Sequence, residues 1–518
     1  MHRQTTTIVS LLLAVASPAA AQRRFPVEET SIAAVHAAFR SGALTCRALV
    51  NAYLKRIDAY DKRGPAINAI TVVNPDAVAT ADSLDKRFAA TKQFVGPLHC
   101  IPMIVKDNFQ TIGLQTAAGS LALKGYTPSK DAFQVKRIKE AGAIVLAKSN
   151  MAEFAFSPLE TVNSLLPGYT KNPFALDRVT AGSSGGTAAA VSADFGEVGL
   201  GTDTGNSIRG PSSHNSLVGI RSTMGLTSRA GVAPLSLFAD IAGPMARTVA
   251  DAVAVFQVVA GYDPDDPATS VMNGKPIPDY STALVRDGLK GARVGVLRQA
   301  YDRPSLDTGV AQVFGKAITD LRRAGAIVLD TVMVPELDSI QRSGGRPGCN
   351  PFKYEFNAWL AEQGERVPVK TLDSIVRSGN YHPSIQARLI AANTISLPPD
   401  SVAGCTTRQR VRDGLREAVT RMMDRLQLDA LIYPTWSNPP RLIGDLNTPG
   451  GDNSQVFSPT TGMPAITVPM GYTRNNTLPA GLQLLGRAFD ESRLIKLAYS
   501  YEQATKWRRQ PPTVPALK

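Results

Sequence analysis

Histidine is the first thing this chain has little of. Five occur in 518 residues, and only His214 and His382 follow the serine-rich stretch near its middle. A serine–histidine–carboxylate site would therefore have very few bases to draw on. Cysteine is nearly as scarce. There are four, none in a CxxC pair, so zinc and dithiol redox motifs are unsupported. Beyond the N-terminus no apolar run is long enough to cross a bilayer as a helix. No internal repeat or low-complexity segment is present. Charged residues are slightly few at 19%, and 43% hydrophobic residues suffice for a large core, which argues against disorder. The formal net charge is +13, but the basic residues are dispersed, with Lys506-Trp507-Arg508-Arg509 the only tight cluster. Nucleic-acid binding needs a basic patch or stripe, so the excess reads as a solvated basic surface with no nucleic-acid partner.

What is present begins at the N-terminus. Arg3, the apolar run Ile8 to Ala16 and the small residues Ala19-Ala20-Ala21 have the three-part layout of a secretory signal peptide. The expectation is cleavage near Ala21, a mature chain from Gln22, and an exported protein, periplasmic or secreted. An oxidising compartment permits disulfides. Cys349 and Cys405 lie in glycine-containing, loop-like stretches and are expected to pair. Cys46 lies in a helical pattern and reads as a buried small hydrophobe.

From Glu28 the chain alternates helices and strands. Thr30 or Ser31 can cap a first helix, and Thr45 starts a second that ends near Tyr60. Asn68 to Val73, Ile101 to Val105 and Ala143 to Ala147 read as strands, and Pro75 to Ala89 and Phe133 to Ala141 as helices. Lys148-Ser149-Asn150 reads as a turn. Further strands are expected at Leu217 to Ile220, Ala292 to Leu297, Ile327 to Val332, Leu428 to Pro434, Pro464 to Pro469 and Ala480 to Leu485. Helices are expected at Val249 to Ala260, Ser305 to Ala324 and Glu491 to Ala504. The alternation implies an α/β fold around a largely buried sheet. Residues 22–518 read as a single domain, with about 270–425 a variable, mostly helical insertion in which Pro335 to Ser401 shapes a substrate entrance.

The chemistry concentrates in Ala181 to Pro211, AGSSGGTAAAVSADFGEVGLGTDTGNSIRGP. Three schemes compete for it. Gly182, Ser184 and Gly186 formally fit the G-x-S-x-G nucleophile elbow, but DRVTA before them is a poor core strand. A phosphate cradle is the second, yet GSSGGT lacks the lysine of the P-loop, and the later glycines do not match G-x-G-x-x-G. The third needs no histidine. A serine hydroxyl needs a base, and a lysine kept neutral by burial can be one. Lys106, at the end of a buried strand, is a candidate, although alone it would read as a snorkelling surface lysine. A second serine could relay the proton. Ser83 and Lys86 also form an S-x-x-K pattern, but no KTG accompanies it, so they read as surface residues one helical turn apart.

Gly182-Ser183-Ser184-Gly185-Gly186 followed by Gly201-Thr202-Asp203-Thr204-Gly205-Asn206-Ser207-Ile208-Arg209-Gly210-Pro211 closely resembles the glycine- and serine-rich signature of the amidase signature family. Val105-Lys106-Asp107-Asn108 matches that family's lysine motif, and Lys148 to Phe154, Gly219 to Gly231 and Phe457 to Pro469 look like further family segments. The resemblance covers roughly Glu28 to Trp507, apart from the region after about Ser270. It implies the amidase signature fold, a large central mixed β-sheet covered by helices on both faces.

Carried over by position, Ser207 matches the nucleophile, Ser183 the bridging residue that follows a cis peptide bond, and Lys106 the base. Backbone N–H groups of Thr204, Gly205, Asn206 and Ser207 would form the oxyanion hole. Ser184, Asp203 and Arg209 would fix the loops. Most members of the family have glycine where this chain has Asn206. Either asparagine tolerates the same backbone, including positive φ, or its side chain narrows the acyl pocket. The resemblance implies hydrolysis of a carboxamide to an acid and an amine or ammonia through a Ser207 acyl-enzyme, with no cofactor. The substrate would be a small-molecule or peptide amide, and the protein a monomer or homodimer without stable membrane insertion. A carbamate or ester hydrolase of the same family, or a periplasmic binding protein retaining the fold without catalysis, are the alternatives.

Overall fold

A computed structural model describes residues 25–157, 160–343, 349–455 and 457–517. The signal-peptide segment lies outside the described residues. Eleven strands form one mixed sheet. In chain order they are β1 (Ile70–Val73), β2 (Pro102–Lys106), β3 (Ile144–Ser149), β6 (Val198–Asp203), β7 (Val218–Arg221), β8 (Ile241–Ala246), β9 (Arg293–Leu297), β10 (Ile327–Val332), β11 (Ala430–Pro434), β12 (Ala465–Thr473) and β13 (Leu478–Leu485). A small separate hairpin, β4 (Asn163–Ser164) and β5 (Gly168–Tyr169), completes the numbering. The spatial order is β1-β3-β2-β6-β8-β7-β12-β13-β11-β9-β10. β3, β2 and β6 run parallel, and β8 turns antiparallel against β6. β2 is buried at all five positions, as a parallel strand covered on both faces must be.

Helices surround this sheet. The first two are α1 (Ile32–Arg40) and α2 (Cys46–Tyr60), capped by the Ser31 and Thr45 side chains, which accept from the N–H groups of Ala34 and Ala48. Then come α3 (Ala77–Thr91), α4 (Phe133–Glu140), α5 (Gly185–Ser192), α6 (Arg209–His214) and α7 (Val249–Val259). Thr248 caps α7 through the Asp251 N–H. α8 (Thr308–Arg323) follows β9, and α15 (Glu491–Thr505) closes the chain. Between β10 and β11 lie α9 (Leu337–Ser343), α10 (Phe352–Glu362), α11 (Leu372–Ser378), α12 (Gln386–Asn393) and the long α13 (Ala403–Arg425), while α14 (Ser458–Thr461) precedes β12. The helical region thus runs from about α9; the residues before it add β9 and β10 to the sheet. α10 to α12 build a second apolar cluster, in which Phe352, Phe356 and Trp359 pack with Tyr126 and Phe154.

Four expectations are corrected. Lys148 and Ser149 are not a turn but the end of β3. The sequence IAGPMA forms β8, a central strand that went unread because Gly243 and Pro244 break the usual strand signal. Cys46 is not a lone hydrophobe. It pairs with Cys100, with Cα atoms 5.6 Å apart, fastening α2 to the segment that enters β2. The Cys349–Cys405 bridge forms as expected and ties the segment before α10 to the first turn of α13. Lastly, the C-terminal basic cluster is not simply solvated. Arg508 ion-pairs with Glu29 at 2.6 Å and donates to the Ser192 and Ser216 carbonyls, and Arg509 stacks on Tyr472.

Candidate active site

β2 and β6 are parallel neighbours, so Lys106 and Asp203, at their C-terminal ends, emerge side by side. Ligand sites in such sheets gather beyond the carboxyl ends of the strands. α5 is laid against these strands by small residues. A Cβ at Gly186 would meet the Asn150 carbonyl oxygen at 2.1 Å, and one at Gly201 would meet Ser184 Oγ at 2.9 Å. The serine pair before α5 is thereby pressed against the end of β6.

The contacts there are short. Lys106 Nζ lies 2.7 Å from Ser183 Oγ and 2.7 Å from Thr202 Oγ1. The Gly182–Ser183 peptide bond is cis. Ser184 Oγ donates to the Thr202 carbonyl at 3.1 Å and accepts from its N–H at 3.2 Å, so it stitches the loop to β6. The Ser184 N–H donates to the Ser207 carbonyl at 3.3 Å, joining the two serine loops. Lys106, Ser183 and Ser184 are wholly buried, whereas Ser207 keeps 5% of its surface and lines an open cavity of about 840 Å³. The Ser207 hydroxyl itself makes no side-chain hydrogen bond to Ser183. The two serine loops adjoin, and the Ser183–Lys106 step is already formed.

Burial dominates the lysine's titration. It drives the ammonium from 10.5 down to about 7, against the weaker pull of Asp240 and Asp203. Neither carboxylate touches Lys106; both are committed elsewhere. Asp203 accepts from Arg209 Nε at 3.0 Å and from Arg221 Nη1 at 2.8 Å, and from the Ile208 N–H at 3.1 Å. Burial would raise its carboxyl, but the two guanidiniums outweigh that and hold it well below the carboxylate range. Arg209 also donates to the Gly205 carbonyl at 2.5 Å, which clamps the Asp203–Ser207 turn. Asp240, raised by burial, accepts from Thr204 Oγ1 at 2.5 Å and from the N–H groups of Leu235 and Ser236.

The expected oxyanion-hole residues line the same cavity. The N–H groups of Thr204, Gly205, Asn206 and Ser207 donate to no acceptor among the described residues, so four successive donors remain unspent beside the serine. Asn206 is not in the left-handed region. The positive-φ explanation for its tolerance therefore falls: its backbone suits any residue. Its Nδ2 packs over Gly210, 3.3 Å from where a Cβ would sit there, and the residue lines the cavity.

The rival schemes lose their geometry. Ser184 is spent on Thr202. His214 is buried against Trp436 and Glu160, and His382 caps a short turn at Pro383–Ile385. Ser83 bonds its own helix at Ala79. Several neighbours escaped sequence reasoning. Thr202 lies inside the glycine- and serine-rich signature, but only the pairing of β6 with β2 sets its hydroxyl against Lys106. Arg221, within the Gly219 to Gly231 segment, and Asp240, which carried no local signal, come near the site only through the pairing of β7 and β8 beside β6. A second buried lysine, Lys148, donates to the Phe109 carbonyl at 2.5 Å and to Thr116 Oγ1 at 3.0 Å. It faces Asp107, whose carboxyl receives the N–H groups of Ala117 and Gly119. That pair braces the loop next to Lys106.

A lysine–serine contact, a second serine on an adjoining loop and four unspent backbone donors thus gather at one cavity. The Amidase family model matches residues 48–495, and the chain belongs to the amidase family. It is 33% identical over 94% of its length to a probable amidase of Arabidopsis thaliana, covering 92% of that protein. The peptide amidase of Stenotrophomonas maltophilia superposes with a TM-score of 0.84 at 36% identity, over 93% of this chain and 98% of the other. An amidase family protein from Bacillus anthracis superposes at 0.82 with 32% identity, over 94% and 92%. The protein is an amidase, a hydrolase of amide C–N bonds.

Proposed function

We propose that the protein hydrolyses the C-terminal carboxamide of peptides through a Ser207 acyl-enzyme. The observation that carries the mechanism is the 2.7 Å contact of a wholly buried Lys106 with Ser183. A lysine lowered to about 7 is substantially neutral at physiological pH and can serve as a base. Lys106 takes the Ser183 proton as Ser183 takes that of Ser207. Ser207 Oγ attacks the carbonyl carbon, and the electron pair moving onto oxygen meets the unspent N–H groups of the 204–207 turn. Each such donor is worth about 3–4 kcal/mol in comparable sites. The intermediate collapses as the proton returns through Ser183 to the leaving nitrogen, releasing ammonia. Water then attacks the ester along the same relay and restores Ser207.

Support for a peptide substrate comes from the 36% identity to a peptide amidase and from a roomy, open cavity. Ammonia is small, so the cavity must accommodate the acyl portion. Export is part of the proposal. It is supported by the N-terminal pattern and by the pairing of all four cysteines.

Fluorophosphonate labelling followed by peptide mapping, with a hydrolysis screen of peptide amides, anilides, long-chain amides and carbamates, tests this reading. The adduct is expected on Ser207, with the fastest ammonia release from peptide amides. No adduct on Ser207 in folded protein would favour the binding-protein alternative, and faster cleavage of carbamates or anilides would displace the peptide. Intact mass of the exported protein should start at Gln22.

A further inference from the structure

Among the described residues, the arginines around the cavity divide into those that are spent and those that are not. Arg441 ion-pairs with Glu160 at 2.9 Å. Arg412 of α13 donates to the carbonyls of Phe238, Pro459 and Thr460. Arg408, one turn earlier on the same helix, forms neither an ion pair nor a hydrogen bond among the described residues, yet it lines the cavity that holds Ser207. Its guanidinium sits 4.2 Å from the centroid of the Phe238 ring, which Arg412 also stacks on at 3.4 Å. Stacking fixes the plane of a guanidinium and leaves its edge N–H groups free.

The nearest carboxylates do not neutralise it. Glu355 and Asp400 act on Arg408 only from beyond ion-pair distance, and Glu355 accepts from the Leu237 N–H at 2.8 Å. Arg388 of α12 also lines the cavity without a carboxylate partner among the described residues, held over the Phe156 ring at 5.8 Å. Of the acids of the cavity wall, Glu160 pairs with Arg441, while Asp452 accepts from the N–H and hydroxyl of Ser454 through Oδ1 alone and ion-pairs with neither Arg408 nor Arg388. Two cations from two helices therefore line the substrate space with no ion-pair partner among the described residues. The like charge accumulates behind them as well, since burial and then Arg221, Arg416 and Arg408 push Arg412 down to about 9.

We propose that Arg408, with Arg388, receives an anionic group on the acyl side of the substrate, so that the preferred peptide amides carry an aspartate or glutamate upstream of the amidated residue. This rests on the peptide-amide reading of the Ser207 site: when ammonia is the leaving group, everything else that fills the cavity is acyl portion. A charge-assisted hydrogen bond to a pre-oriented guanidinium repays the substrate for leaving water.

The test compares ammonia release from acetylated tripeptide amides carrying glutamate, or its γ-methyl ester, one or two residues before the amidated phenylalanine. The pair matches in length and differs in charge. The wild-type enzyme is expected to favour the acid by about tenfold in kcat/KM, mainly through KM, and less so at high salt. In Arg408→Gln the ratio of acid to ester should fall toward one. Arg408→Lys should keep part of it, and Arg408→Glu should invert it in favour of a lysine-containing peptide. A wild-type ratio below about two at both positions would overturn the proposal. So would an unchanged ratio in both Arg408→Gln and Arg388→Gln, each verified as folded by circular dichroism. If no peptide amide is cleaved while an anilide or carbamate is, the peptide-amide reading fails first and this inference with it. Cleavage of both peptides at equal rates leaves that reading standing and removes the inference alone.

Discussion

β6 has a buried carboxylate at each end, and each carboxylate meets arginines. Glu197, just before the strand, lies 2.9 Å from Arg247 Nη2 and accepts from the Tyr53 hydroxyl at 2.6 Å. Arg247 reaches Asp194 at 3.2 Å, and Asp194 accepts from the Glu29 N–H. Arg56 adds the carbonyls of Ala193, Val514 and Pro515. This end fastens both ends of the described chain onto the α5–β6 turn, and none of these residues lines the Ser207 cavity. Asp203, at the other end, spends itself on Arg209, Arg221 and the N–H groups that open α6, and so shapes the turn carrying Ser207. Similar carboxyl–arginine contacts thus close one end of the strand and hold the other open. What separates them is the surroundings. At Glu197 burial pushes the carboxyl up to about 8 despite Arg247. At Asp203 two guanidiniums overcome burial and keep it ionised.

The sharpest break between the ends is catalytic. Ser207→Ala should lower kcat by at least about 10⁴-fold, and Lys106→Met comparably, because members of one relay fail together. His382→Ala should leave turnover in place. Activity surviving Lys106→Met would remove the lysine from the role of base.

Stability should respond most at the opposite end. Arg247→Met removes the guanidinium that joins Glu197 to Asp194 and strands the Val191, Gly196 and Thr30 carbonyls it donates to, and should cost about 3 kcal/mol in urea unfolding. Turnover per folded molecule should stay the same; a fall in kcat beyond the unfolded fraction would erase the division between the ends.

Asp203→Asn should straddle the two. It strands Arg209 and Arg221, for about 3 kcal/mol of stability, and slackens the 204–207 turn, for about a 10²-fold loss in kcat. A change in stability alone would demote Asp203 to scaffolding.

The smallest effects are in pH. The reactive form has Lys106 neutral, so kcat/KM should fall about tenfold per unit below pH 7 and level off above it. A flat profile from pH 6 to 9 would contradict a lysine base. At the other end, the Glu197 carboxyl is raised in the fold from 4.5 to about 8. Its contribution to stability is complete below 4.5 and is lost as pH rises through 8. Thermal melts of Glu197→Gln should therefore lose less stability than wild type between pH 5 and 8; equal losses would assign the titration elsewhere.

Much of this was legible in residues. Hydroxyls at Thr30 or Ser31 and at Thr45 announced the first two helices, because a hydroxyl before an apolar-periodic stretch answers an orphan N–H locally. β2 was legible as an unbroken apolar run ending in lysine. β8 was not, since glycine and proline are tolerated there only because β6 and β7 impose its pairing. The pairing of Cys46 with Cys100 was equally invisible, because no sequence pattern says that the start of α2 lies over the entry to β2. At the site, the serines and Lys106 were readable from motif chemistry. Arg408 was not: its significance is that it forms no ion pair or hydrogen bond among the described residues, and that can be recognised only once its neighbours are in place.

Residue order alone set the chemical inventory: a lysine at a strand end, two serine loops 24 residues apart, and only five histidines. Which of those groups act is a matter of packing. Lys106 is lowered because β3 and β6 flank its strand and α5 packs onto it, excluding water, and Asp203 stays ionised because β7 delivers Arg221 beside Arg209. Residue type sets what a group can do. Desolvation and neighbouring charge, which depend on long-range packing, set which protonation state it holds.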